Sequence, residues 1–246
     1  MNESKSATAE WTSPCPSCGK ESFTLLLRCS DCGAYVRDRV PALNLFSTMW
    51  GMLENPSSTT LRIGRSEQKN YTHLLFALCG PLLFAVMLFA ARIGDTSMPF
   101  GYMLFGITIF GPLLGLLFLI TVASFLRIII RLSNGVQVPY REAAAWFAWS
   151  LTPLIWVSVL VLPVFLGVFG LILFSTNPAP WIMLPLPFWM LSTLAVVALA
   201  WSILLLPLGY RVYGPSYRTL ILQQAGVWLL LVAFIALGAE LLRAIV

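Results

Sequence analysis

Four of the five cysteines stand in the first 32 residues, as Cys15-Pro16-Ser17-Cys18-Gly19 and Cys29-Ser30-Asp31-Cys32-Gly33, with ten residues between the pairs. A two-residue gap lets the backbone curl so that two thiolates meet one ion. Zn²⁺ in structural sites takes four such ligands in a tetrahedron. Glycine directly after the second cysteine permits the positive-φ turn that aims backbone N–H groups at sulfur, and both pairs have it. The doubled spacing predicts a zinc ribbon with Cys15, Cys18, Cys29 and Cys32 as ligands and structural Zn²⁺ as cofactor. Two other chemistries use the same residues: a pair of disulfide or redox sites, and an iron centre of the rubredoxin type. A redox C-x-x-C ordinarily stands singly beside a βαβ pattern, which this chain lacks. Residues 20–28, with Phe23-Thr24-Leu25-Leu26-Leu27 inside them, are expected to form the short hairpin of the ribbon.

A module of about 35 residues buries too little core to fold alone, so metal binding would supply most of its folding free energy. Four thiolates leave no open coordination position for water, which makes the role structural and not catalytic. Trp11, Lys20, Glu21, Arg28, Tyr35, Arg37, Asp38 and Arg39 flank the pairs. They offer a binding surface, but their signs are too mixed to point to nucleic acid. The fifth cysteine, Cys79, sits between Leu78 and Gly80 in an apolar run and reads as a small buried apolar residue. His73 is the only histidine and reads as an interfacial polar residue. Neither H-E-x-x-H nor G-x-S-x-G occurs, and convergent acid, base and nucleophile groups are missing. The chain is therefore read as not an enzyme.

Behind this module the sequence changes character. Of the 246 residues, 59% are apolar and 10% charged, and the mean hydropathy is +0.85. These values belong to an integral membrane protein. Residues 1–10 are polar, so no cleavable leader is expected. Residues 143–210 contain no Asp, Glu, Lys, Arg or His, a stretch of 68 residues. One crossing needs about 20. Charges and turn signals divide the apolar sequence into five helices, at about 74–91, 100–126, 143–174, 181–210 and 219–242. The long unbroken runs exclude a transmembrane barrel. The predicted fold is an all-α polytopic bundle of five transmembrane helices over residues 74–246. A zinc ribbon (1–39) and an amphipathic linker with an interfacial helix (40–73) precede it. Prolines 81, 112, 153, 163, 185, 187 and 207 are expected to kink the spans. The pairs Gly111/Gly115 and Gly167/Gly170 offer close helix contacts.

Basic residues flanking the successive span ends number 3, 1, 3, 0, 2 and 1. The positive-inside rule places the N-terminus in the cytoplasm and the C-terminus outside. A reducing cytosol also keeps the thiolates available for metal. The net charge of +5 is thus an orientation signal. In the linker, Leu43, Leu45, Phe46, Met49, Trp50, Met52 and Leu53 recur at helical spacing. They predict a helix lying on the cytoplasmic interface or packed against the spans. Pro56-Ser57-Ser58-Thr59-Thr60 breaks or restarts it.

Three pieces resemble the Yip family of five-span membrane proteins in its bacterial, zinc-ribbon-bearing form. Met52-Leu53-Glu54-Asn55-Pro56 is similar to that family's lead-in to its membrane domain. Gly135 with Tyr140-Arg141-Glu142-Ala143-Ala144, then Trp149-Ser150-Leu151-Thr152-Pro153, resembles its approach to the third span. Eukaryotic members are implicated in vesicle traffic and contact small GTPases, a role that the bacterial form does not carry across. The paraquat-inducible protein A family also joins cysteine pairs to spans, but its four-span halves fit five runs less well.

The functional expectation is a membrane scaffold or adaptor. It contacts the lipid bilayer and a membrane or cytoplasmic protein partner, and no nucleic acid or small-molecule substrate. Arg127, Arg131 and Arg141, in the one charged loop between spans, are candidate partner-docking residues; lipid-headgroup contact is the simpler reading. The alternative function is a transporter or channel for a neutral or apolar substrate, motivated by the proline-broken helices. Ionisable groups that would line an ion path are nearly absent from the runs.

Overall fold

The computed structural model describes residues 12–23, 29–34, 42–66, 68–96, 98–134, 138–210 and 217–245. The chain forms two compact units, Met1–Asn70 and Tyr71–Val246.

In the first unit, β1 (Thr12–Pro14) pairs antiparallel with β2 (Glu21–Phe23), Ser13 opposite Ser22. This hairpin flanks the first cysteine pair, with its second strand in the interval between the pairs. The Cys15 N–H bonds the Lys20 carbonyl at 2.9 Å, which closes the turn and leads straight into the ladder. Residues 24–28, where most of the expected hairpin falls, lie outside the described residues, as do Trp11, Tyr35, Arg37, Asp38 and Arg39. Helix α1 (Leu45–Glu54) starts at Asn44, whose side chain accepts the Ser47 N–H at 3.0 Å. The chain restarts at once as α2 (Pro56–Arg65), with Asn55 as its cap and Pro56 in its first turn. Thr48, Met49 and Met52 of α1 and Thr59, Thr60 and Ile63 of α2 are buried. A Cβ on Gly51 would come within 2.5 Å of the Thr59 hydroxyl, so the two helices lie close. Lys69 Nζ donates to the Ile63 and Gly64 carbonyls at 2.6 and 2.9 Å. It thereby places a cation on the orphan acceptors at the end of α2.

The second unit contains α3 (Thr72–Ala91), α4 (Phe100–Phe105), α5 (Gly111–Asn134), α6 (Tyr140–Ser150), α7 (Thr152–Trp156), α8 (Leu162–Phe169), α9 (Pro180–Met183), α10 (Pro185–Tyr210) and α11 (Tyr217–Ile245). A π segment (Gly106–Phe110) joins α4 to α5, and another (Val157–Val161) joins α7 to α8. Among the described residues, five stretches are long and apolar enough to cross a membrane: Thr72–Ala91, Phe100–Leu132, Thr152–Phe174, Pro185–Leu208 and Gln224–Ile245.

The third crossing starts later than the apolar run suggested. Helix α6 ends at Leu151 and is separate, and its residues Ala143 through Ser150 are all buried. It packs against α3, α5 and α10, with the Phe147 ring 5.3 Å from Phe76 and 6.1 Å from Phe118. A helix enclosed on every side is apolar all round, so hydropathy alone fuses it with the span that follows.

Helices α3 and α5 share the tightest packing. A Cβ on Gly80 would sit 2.0 Å from the Gly111 carbonyl oxygen, and one on Gly115 would sit 2.3 Å from the Phe76 carbonyl oxygen. Gly111 and Gly115 thus bring two backbones together, as the spacing suggested. Gly167 and Gly170 do not: a Cβ on either meets nothing within 4 Å. Gly170 instead takes a positive φ of 55° at the end of α8.

The prolines sort by position. Pro112 and Pro163 each stand two residues after a π segment, at the second residue of α5 and α8. Pro153 and Pro185 open α7 and α10, while Pro81 and Pro207 stand inside continuous helices. A proline cannot donate to the carbonyl four residues back. Two of the freed acceptors find side chains: Thr152 Oγ1 donates to the Trp149 carbonyl and Gln224 Nε2 to the Ile203 carbonyl, both at 2.7 Å.

Asp95, just after the first crossing, grips the chain beyond the third. Its carboxylate accepts the Ser175 hydroxyl at 2.5 Å, the Thr176 N–H at 2.9 Å and the Thr176 hydroxyl at 2.5 Å. These donors, the Ser175 hydroxyl first, hold its pKa well below the ordinary carboxylate range. Asp95→Asn keeps the shape but loses the charge and reverses one end of the group. It is expected to lower the thermal midpoint in detergent and to speed proteolysis at residues 93–96 and 175–177. An unchanged cleavage pattern would show that the clamp holds nothing.

Candidate metal centre

The two cysteine turns are near copies. The Gly19 N–H bonds the Cys15 carbonyl at 2.8 Å, and the Gly33 N–H bonds the Cys29 carbonyl at 3.0 Å. The Cys15 N–H reaches the Lys20 carbonyl and the Cys29 N–H the Ala34 carbonyl, at 2.9 and 2.8 Å. Gly19 and Gly33 both take φ of 69°, the left-handed conformation that a Cβ disfavours.

These turns aim four sulfurs at one point. Cys15 Sγ lies 3.7 Å from Cys32 Sγ, and Cys18 Sγ lies 3.6 Å from Cys29 Sγ. All four fall within 4.8 Å of one another. A tetrahedron with Zn–S bonds of about 2.3 Å has edges of about 3.8 Å. A disulfide needs about 2.05 Å, and all four cysteines are free thiols. The donor set therefore fits a tetrathiolate metal site.

Backbone dipoles prepare the sulfurs for charge. The Ser17 and then the Cys18 amides lower the Cys15 pKa, and the Cys32 and Asp31 amides bring Cys29 down to about 7. The Lys20 amide acts the same way on Cys18, but the Cys32 thiol, burial and the other two thiols push it up to about 12. Four negative sulfurs cannot share this space unaided, and a cation removes the conflict. Cys15 and Cys29 are buried while Cys18 and Cys32 are exposed. Lys20 Nζ ties one turn to the other through Asp31 at 3.2 Å.

The other candidates lie in the second unit. Arg127 and Arg131 are exposed one turn apart on α5, and Arg141 is exposed in the first turn of α6. Residues 135–137 between them are outside the described residues. His73 is exposed in the first turn of α3. Cys79 lines an apolar cavity of about 260 Å³ together with Phe76, Leu83, Phe118, Phe147 and Trp228. Sequence reasoning missed Asp95 with Ser175 and Thr176, and Gln224 with Ile203. A lone acid in a short loop and a pair of amides, Gln223-Gln224, at the start of an apolar run were the available signals.

Five candidate crossing helices and, in the separate first unit, a four-thiol cluster define a multi-pass membrane protein with a candidate metal module. The Yip1 domain model matches residues 50–238, and the chain belongs to that family. The match starts inside α1 and leaves the four cysteines outside it. No curated protein and no solved structure matches the chain.

Proposed function

We propose that this protein is a non-enzymatic membrane adaptor. In this reading, residues 1–39 form a zinc ribbon in the cytoplasm, with Cys15, Cys18, Cys29 and Cys32 holding structural Zn²⁺. Residues 40–73 link it to the bilayer, and residues 74–246 cross five times and leave the C-terminus outside. The observation that carries the reading is the closed tetrathiolate cluster, which leaves a bound metal no open position for substrate. It accompanies spans whose charges stay near their ends: Thr152–Phe174 and Pro185–Leu208 hold none. Arg127, Arg131 and Arg141 are the docking residues of the membrane unit.

Arg131→Glu with Arg141→Glu is expected to cut recovery of copurifying membrane proteins at least tenfold with membrane insertion unchanged. Undiminished recovery would reduce these residues to headgroup contacts. A second reading, passage of a neutral or apolar molecule, is favoured by the apolar cavity of about 260 Å³. Flux into liposomes that contain only this protein would decide for it and against the adaptor.

A further inference from the structure

Helix α1 turns Thr48, Met49 and Met52 inward. Its other face carries two large rings in the open: Phe46 is 73% exposed and Trp50 64%. At about 100° per residue, Phe46, Trp50 and Leu53 fall within about 60° of arc, with Glu54 about 40° and Ser47 about 60° beyond it. Such a face gains by leaving water. Aromatic rings with a polar handle, as in Trp50, settle where hydrocarbon meets headgroups.

The chain itself limits what can cover this face. Gly51 lies against Thr59, which puts Trp50 about six residues, or ~9 Å, from the end of α2. Residues 66–71 then reach at most ~20 Å before the first crossing begins. The rings are thus tethered within about 30 Å of the point where the chain meets the bilayer. Arg62, exposed on α2, follows the rings along the chain before the first crossing, a cation suited to anionic headgroups. We infer that the Phe46–Trp50–Leu53 face of α1 inserts into the headgroup boundary of the bilayer that the spans cross, so that α1 lies in the membrane surface as a lipid-binding wedge. The inference needs the membrane spans but not the adaptor reading.

The test uses the full chain in vesicles of phosphatidylethanolamine and phosphatidylglycerol. The photocrosslinker p-benzoylphenylalanine replaces Phe46, Trp50 or, as a control exposed on α2, Ser57. Mass spectrometry of the irradiated protein is expected to find phospholipid adducts at 46 and 50 at least fivefold above those at 57. Equal adducts at all three positions would overturn the wedge. Adducts to protein in place of lipid, whether a second copy or this chain's own spans, would overturn it as well. Phe46→Ser with Trp50→Ser, read by protease accessibility of residues 42–66, supplies an arm without the crosslinker. Vesicles should protect this segment in the parent chain and lose at least half of that protection in the double variant; equal protection in both counts against the wedge.

Discussion

Cys15→Ser with Cys29→Ser is expected to empty the metal site and unfold residues 12–34 while the five crossings stay inserted. Cys15 and Cys29 are the two buried sulfurs of the cluster, and each receives two backbone amides. The described structure of residues 12–34 is one three-residue strand pair and two turns. A fold of that size has little apolar area to set against its conformational entropy. A bound structural zinc would supply the difference, on the order of 10–16 kcal/mol apparent at neutral pH. Elemental analysis should fall from about one zinc per chain to less than a tenth. Proteolysis should move into residues 12–34, while helical circular dichroism hardly changes. Iron in place of zinc in the parent protein would assign the rubredoxin-type centre instead. Breaking the exposed Lys20–Asp31 pair with Lys20→Ala should matter little, because exposed ion pairs contribute about 0–1 kcal/mol.

Gly80→Leu should be as damaging to the membrane unit as the double serine variant is to the cysteine turns. The new Cβ would land 2.0 Å from the Gly111 carbonyl oxygen and 2.7 Å from its carbon. Both are backbone atoms, which cannot rotate aside as a side chain can. Relief requires α3 and α5 to separate along their length. Overpacking typically costs about 1–3 kcal/mol where side chains can yield, and more is expected here. The folded peak in detergent size exclusion should fall severalfold. Gly167→Ala is the matched control, since its Cβ would meet open space inside α8, and a helix interior favours alanine over glycine. Equal behaviour of the two variants would show that the α3–α5 contact does not hold the bundle together.

Sequence alone carried the number of crossings, because a lipid-spanning helix advertises itself by length and lack of charge. It also singled out the four cysteines whose sulfurs converge, since two matched C-x-x-C-G turns fix where sulfurs point. The boundary at Leu151 was not legible: a helix wrapped in protein and a helix wrapped in lipid are equally apolar, and Pro153 read as a kink instead of a start. Of the observed ladder, Glu21–Phe23 falls in the expected interval and Thr12–Pro14 precedes it, because the first turn already holds two chain segments side by side. The grip of Asp95 on Ser175 and Thr176 joins residues 80 and 81 positions apart. Nothing local in either segment names the other.

The bond from Gln224 to the Ile203 carbonyl exists because Pro207 has no hydrogen to give. The acceptor is a defect in one helix, and the amide on the next is shaped to it. Mending the flaw would therefore do harm: an ordinary residue at 207 would complete the ladder of α10 and strand the amide of α11 in oil. What looks like an imperfection works as an address, telling the last helix at which height and on which side to settle.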